Sequence, residues 1–279
     1  MLNISEYPFV YQDEDYIYLY KHQPITDSRL ELLTKGTISF TKPDKFNDPF
    51  DCVYAVDESY HYSAEEIQKK FLEHFKEKIS IEEALNLSKK MIEKESQAIN
   101  DLTYFSDINS LIGICCLNHN PLNILMWSHY ADFHKGFLTE FKFRKIDLLN
   151  SSLNYLNFLP IPVSYMDEMP VIDRETRLDP KNKIIEIYTS KAAEWSYEKE
   201  FRVIKTNIND PIQVLPYRDL ICSVIGGLKI SPKDEEKLQK ICSKNKIPYF
   251  RTSRVSNSFG LTVPNHHQLD VEKSKKLHQ

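Results

Sequence analysis

Glycine is scarce in this chain, with six residues against fourteen prolines in 279. No Gly-x-Gly-x-x-Gly and no Gly-x-x-x-x-Gly-Lys run occurs, so the glycine-rich phosphate loops of the common nucleotide-binding folds are excluded. Cysteine is equally uninformative as a framework: Cys52, Cys115, Cys116, Cys222 and Cys242 are odd in number and form no Cys-x-x-Cys. Neither a disulfide scaffold nor a structural zinc site follows from that spacing. A basic start leading into an apolar run is missing, as is any apolar stretch near the roughly twenty residues a membrane span needs, so the expectation is a cytoplasmic protein. One sign of charge does not dominate either: 36 basic residues against 40 acidic ones leave a formal charge of −4. Composition alone therefore attracts the chain to neither nucleic acid nor membrane.

Apolar residues make up 41% of the chain and aromatic residues 12%, enough for a substantial core. The periodicities predict a single α+β domain over residues 1–268, with a helical insertion at about 63–105 and a disordered polar tail over 269–279. Strands are expected at Tyr16–His22, Thr37–Phe40, Leu111–Leu117, Gly136–Phe141, around Pro162–Tyr165, from Glu198 onward, and at Leu220–Ile225 and Tyr249–Phe250. Helices are expected after Asp27 or Ser28 up to Gly36, from Asn120-Pro121 through His129, over Ile184–Ala193, and from Ser231-Pro232 to about Asn245. Within the insertion, Ser63 with Glu66 and Ser80 with Glu83 have the spacing of capping boxes, and Leu85, Met91 and Ile92 suggest an apolar stripe.

Three clusters concentrate polar and aromatic side chains, the first of them equally readable as a solvated strand face with an ion pair across it. In Trp195-Ser-Tyr-Glu-Lys-Glu-Phe-Arg202, strand alternation would put Glu198, Glu200 and Arg202 on one face. Two carboxylates held side by side repel unless a cation, a proton or a substrate hydroxyl stands between them. Trp195 and Tyr197 flank them as walls suited to a planar or sugar-bearing ligand. The second cluster, Leu125 to Gly136, packs Trp127, Ser128, His129, Tyr130, His134 and Lys135 into a helix-to-strand transition. The third, Phe46-Asn-Asp-Pro-Phe-Asp51, is a proline-stiffened turn whose Asp48 can position hydroxyls or simply close the turn. A Cys116 nucleophile with His129 as base is a further arrangement of intracellular hydrolases, set against a buried strand cysteine acting as a small hydrophobe.

Together with Leu19-Tyr20-Lys21 on the first strand, these motifs resemble, over residues 16 to 250, a widespread bacterial family known only as a domain of unknown function. More distantly, the layout resembles the ADP-ribosyltransferase fold. That resemblance implies a mixed β core and an NAD-consuming transferase, with a toxin or antiphage-defence role. It aligns Glu200 with the catalytic glutamate and Glu198 with its companion. Lys21 or His22 falls at the first-strand position and Tyr130 at the nicotinamide-stacking aromatic. The implied NAD contacts are completed by Asp48, His129, Lys191, Trp195, Tyr197 and Arg202, with NAD as substrate and no metal. The implied partners are a macromolecular acceptor, whether RNA, DNA or protein, and an antitoxin. Two other readings stand beside it: a nucleotide or nucleic-acid binding sensor without turnover, and a metal-independent hydrolase or nuclease.

Overall fold

A computed structural model describes residues 11–57, 66, 69, 80–100, 106–149, 158–173, 180–216 and 218–271. The chain is α+β and divides into two compact units, one formed by residues 1–41, 113–163 and 194–279 and the other by residues 42–112 and 164–193. The Ser63 capping box and the far tail lie outside the described residues.

The first unit is built on a seven-stranded mixed sheet. Its strands are β1 (Tyr16–Gln23), β2 (Gly113–Asn118), β3 (Phe137–Arg144), β4 (Pro160–Pro162), β5 (Glu200–Lys205), β6 (Ile221–Gly226) and β7 (Tyr249–Arg251). They lie in the order β7-β6-β3-β1-β2-β5-β4, and only β6 and β7 run parallel. Helices α1 (Asp27–Lys35), α2 (Ile124–Tyr130) and α3 (Pro232–Asn245) belong to the same unit.

Alternation makes the two faces of this sheet chemically different. One face presents Ile17, Leu19, Leu117, Phe141, Phe201 and Val203 to Leu30 and Leu33 of α1 and to Leu238 and Cys242 of α3, all buried in one apolar cluster. Each such side chain contributes roughly 1.5–3 kcal/mol on burial. The opposite face sets a polar row among Tyr18, Leu138 and Ile225 and is also covered. The register aligns Ser223, Glu140, Tyr20, Asn118 and Glu200 as lateral neighbours across five strands. Trp127 and Ala131 from the α2 region, with Leu261, Val263 and Leu269 from the C-terminal region, pack on that side. Leu269, expected to open a disordered tail, is thus fully buried.

Local chemistry explains the helix ends. Thr26, rather than Asp27 or Ser28, caps α1 through Oγ1, which accepts from Arg29 N–H, and Gly36 closes the helix in the left-handed region at φ 66°. α2 starts at Asn123, three residues after the expected Asn120, because the Asn123 side chain accepts from the Leu125 and Met126 N–H groups. α3 has the expected Ser231 cap, with Pro232 in its first turn. The segment expected as one helix over 184–193 is a helix Pro180–Tyr188, a strand Ser190–Ala192 and a 3-10 turn Ala193–Glu198.

The second unit contains a helix Ile81–Asn100, a short helix Ser106–Leu111, and two small parallel pairings. Ala55–Val56 pairs with Val171–Ile172, and Ser164–Met166 with Ser190–Ala192. Both halves of the Ser80–Glu83 capping box are present, Ser80 N–H donating to Glu83 at 2.9 Å and Glu83 N–H to Ser80 Oγ at 3.2 Å. Met91, assigned from the sequence to an apolar stripe, is exposed.

Gly136 sits where the α2 turn meets β1. A Cβ there would lie 2.2 Å from the Gln23 carbonyl oxygen and 2.9 Å from the Ala131 backbone. Both obstacles are backbone and cannot swing aside, so Gly136→Ala should destabilise the protein by roughly 1–3 kcal/mol. Urea unfolding of the two proteins side by side checks this; equal midpoints would contradict the close approach.

Candidate functional site

The two glutamates do not share a strand. Lys199 adopts φ 49°, a left-handed conformation that interrupts the alternation. Glu198 therefore ends the 3-10 turn, while Glu200 opens β5. Glu200 and Arg202 do share the polar face, as the alternation predicted, and both are buried. The guanidinium grips the carboxylate with two bonds, Nε to Oε1 at 2.9 Å and Nη2 to Oε2 at 3.2 Å. Glu198, buried as well, accepts from the Tyr130 hydroxyl at 2.5 Å. Burial first, then the neighbouring Glu198 charge, push the Tyr130 phenol up.

Tyr130 ends α2, and the position of α2 is set by Asn123. Its amide donates to the Tyr197 carbonyl at 2.8 Å while its oxygen caps the helix. That clamp brings α2 against the 3-10 turn and produces a connected series of rings. Trp195 lies 6.0 Å from Tyr197, Tyr197 6.2 Å from His129, and His129 6.3 Å from Tyr130. His129 is exposed and the other three rings are half-buried.

The first-strand alternatives part company. Lys21 lies on the apolar side of the sheet, where its ammonium donates to the Cys116 carbonyl at 3.0 Å and approaches Cys115 Sγ at 3.8 Å. His22 lies on the polar side with Glu200 and Arg202, edge-on to Trp127 at 5.0 Å. Asn118 determines which of its nitrogens carries the proton. The Asn118 oxygen accepts from Asn120 N–H at 3.2 Å, which fixes the amide orientation. Its nitrogen then donates to the Tyr20 carbonyl and to His22 Nδ1, each at 3.0 Å. With Nδ1 accepting, the proton of the neutral ring belongs on Nε2. Burial, reinforced by the neighbouring His134, lowers the His22 pKa to about 3, so the ring is a neutral donor at ordinary pH.

The remaining predicted contacts fall in the second unit. Lys191 is buried and paired with Asp51 at 3.7 Å. Asp48 Oδ1 accepts from Phe50 N–H at 2.9 Å, which is the turn-forming role of an aspartate before proline. Cys116 gains nothing that would make it a nucleophile: burial, and then the Glu200 charge, raise its thiol well above the usual range.

A second polar cluster on the same sheet face was not anticipated. Fully buried Glu140 accepts from Ser223 Oγ at 2.6 Å, Tyr20 at 3.3 Å and His266 Nε2 at 3.2 Å. Burial raises its pKa, but the His266 and Ser223 contacts outweigh this and leave it below the usual value. Glu140, His266 and His267 offer atoms within 4.8 Å of one another, the spacing of a potential metal group among the described residues. His266 Nδ1, however, accepts from the Gln268 and Leu269 N–H groups at 3.3 Å each. Nε2 therefore carries the proton and donates to Glu140, leaving no lone pair there for a metal. The cluster is a hydrogen-bonded clasp that holds the 261–271 segment on the sheet.

Residues 126–203 match the family described as a protein of unknown function, DUF2971. The matched range contains Met126–Gly136 of the second cluster and all of Trp195–Arg202, while Leu125, Leu19–Lys21 and Phe46–Asp51 lie outside it. No curated protein and no solved structure matches the chain. No helix among the described residues is long and apolar enough to cross a membrane.

The neutrality of buried His22 has a definite sign in stability. Its folded pKa, about 3, lies below the unfolded value near 6.5, so the unfolded chain binds the extra proton first as pH falls. The stabilisation is complete above about pH 6.5 and declines by up to about 1.4 kcal/mol per pH unit down to about pH 3. Urea unfolding between about pH 4 and pH 7 should show this slope, and His22→Phe should flatten it. An unchanged slope in the variant would contradict the assignment.

Proposed function

We propose that the first unit carries an ADP-ribosyltransferase site that consumes NAD. The observation that supports this reading is the common placement of His22, Asn118 and Glu200 on one polar face of three neighbouring strands, with Tyr130 hydrogen-bonded to Glu198 on the adjoining turn. His22 is one of the two first-strand residues, and Glu200 the later-strand glutamate, that the resemblance implies.

Breaking the nicotinamide–ribose bond sends its electron pair to the pyridinium nitrogen and leaves oxocarbenium-like charge on the sugar. A carboxylate oriented before the reaction, as Glu200 is by Arg202, stabilises that charge as it develops through the ribose hydroxyl it binds. His22 contributes an Nε2–H donor of fixed tautomer and no basic capacity. The new bond forms between the acceptor atom and the anomeric carbon, and the acceptor proton passes to Glu198. Tyr130 keeps that carboxylate in place until it is needed. Trp195, Tyr197 and His129 supply stacking surface. Lys21, Lys191 and Asp48, engaged elsewhere, take no part in this account. Its setting would be a cytoplasmic toxin or defence effector restrained by an antitoxin.

One observation favours a second reading, a module that holds a nucleotide without turnover. Both carboxylates are buried and already engaged, Glu200 by Arg202 and Glu198 by Tyr130. Glu200→Gln separates the two. With radiolabelled NAD and separate pools of RNA, DNA and cell protein, the transferase reading expects label transfer by the native protein, reduced by about 100-fold or more in the variant. Nucleotide binding without transfer or nicotinamide release in the native protein would support the sensor instead.

A further inference from the structure

The chain as a whole is acidic at −4, yet residues 229–254 hold eight Lys and Arg against three Asp and Glu, a local excess of five positive charges. All eight basic side chains are exposed. Half of them form a single stripe on α3. Lys233, Lys237, Lys240 and Lys244 follow an i, i+4, i+7, i+11 spacing, which gathers them into an arc of roughly 60° along about 16 Å of helix axis. Leu238 and Cys242, buried against the sheet, occupy the other side of the helix.

The acidic residues of this segment do little to neutralise the stripe. Asp234 accepts from Ser231 at the helix cap, and Glu235 is drawn toward Tyr249 and Arg251 on β7. Only Glu236 borders the stripe, paired with Lys240 at 2.7 Å. The helix dipole accounts for Lys244 in the last turn but not for the three lysines before it. Lys246, just past the helix end, and Lys229, just before its start, extend the same charge.

We propose that the exposed face of α3 binds the phosphate backbone of a nucleic acid. A row of flexible ammonium groups on a rigid helix matches a line of phosphates without reading sequence, and its affinity comes from releasing condensed counterions. The surface deepens the transferase reading, on which the naming of the acceptor as a nucleic acid rests, while the binding itself needs no NAD.

The test uses the full chain and short fluorescent oligonucleotides, single-stranded and duplex, in an anisotropy titration without NAD. Salt is varied from about 50 to 200 mM. Four simultaneous Lys→Gln changes at 233, 237, 240 and 244 keep good helix formers on an exposed face, so the variant should fold; circular dichroism confirms it. The expected result is a loss of affinity of about tenfold or more, with the salt slope reduced by roughly 2 to 4. Lys89→Gln with Lys90→Gln, on an exposed helix of the second unit, should leave binding unchanged. The two oligonucleotide arms identify which form of nucleic acid presents the phosphates. Absence of binding by the native protein, equal binding by the folded quadruple variant, or binding to anionic vesicles in place of oligonucleotides would overturn the proposal. Because NAD is absent, failure of the transferase chemistry leaves this outcome unaffected.

Discussion

A sheet face that is polar and yet covered must satisfy its polar groups within the protein, since an unpaired buried donor or acceptor costs about 1–3 kcal/mol. Most of the face in the first unit meets that constraint, and His22 Nε2, buried without a hydrogen-bond partner, is the exception. Across five strands, Ser223, Glu140, Tyr20, Asn118 and Glu200 stand in lateral register. Glu140 gathers donors from Ser223, Tyr20 and His266, Asn118 joins its own strand to β1, and Arg202 answers Glu200. The opposite face is conventional, with aliphatic and aromatic side chains packed beneath α1 and α3. The apolar face supplies cohesion, and the polar face holds its side chains in single orientations. Pre-orientation of that kind is what a binding or catalytic surface requires.

Asn118 and Asn123 illustrate how little side-chain volume this needs. Each uses both ends of one amide. Asn118 sets the tautomer of His22, and Asn123 caps α2 while fastening it to the turn that carries Tyr197 and Glu198. In these bonds Asn123 touches none of the rings of Trp195, Tyr197, His129 and Tyr130, yet it joins the two elements that carry them.

Much of this was legible in the sequence because it depends on local rules. Apolar runs such as Leu220–Ile225, the Ser231-Pro232 cap, the Gly36 stop and the Ser80–Glu83 box are short-range signals, and the structure carries them. The α+β class and the shared face of Glu200 and Arg202 follow from the same periodicity. Other features depended on long-range geometry. One left-handed residue, Lys199, was enough to take Glu198 out of the strand, and nothing in a Glu-Lys-Glu run announces that φ value. The choice between Lys21 and His22 depended on which side of the sheet faced α1. The Glu140–His266 contact joins residues 126 positions apart. Asn118 alone left a trace: a polar residue ending the apolar run Ile112–Leu117 signals a side chain with an internal partner.

The pre-orientation of the polar face is tested most directly by the state of His22. Nitrogen-15 NMR of the imidazole, recorded at about pH 6 and through an acid titration, reads tautomer and charge together. A neutral ring protonated on Nε2 and still neutral well below the usual histidine range is the result predicted by the Asn118 bond and the burial. A ring protonated on Nδ1, or one that titrates near 6.5 as a free histidine does, would contradict it.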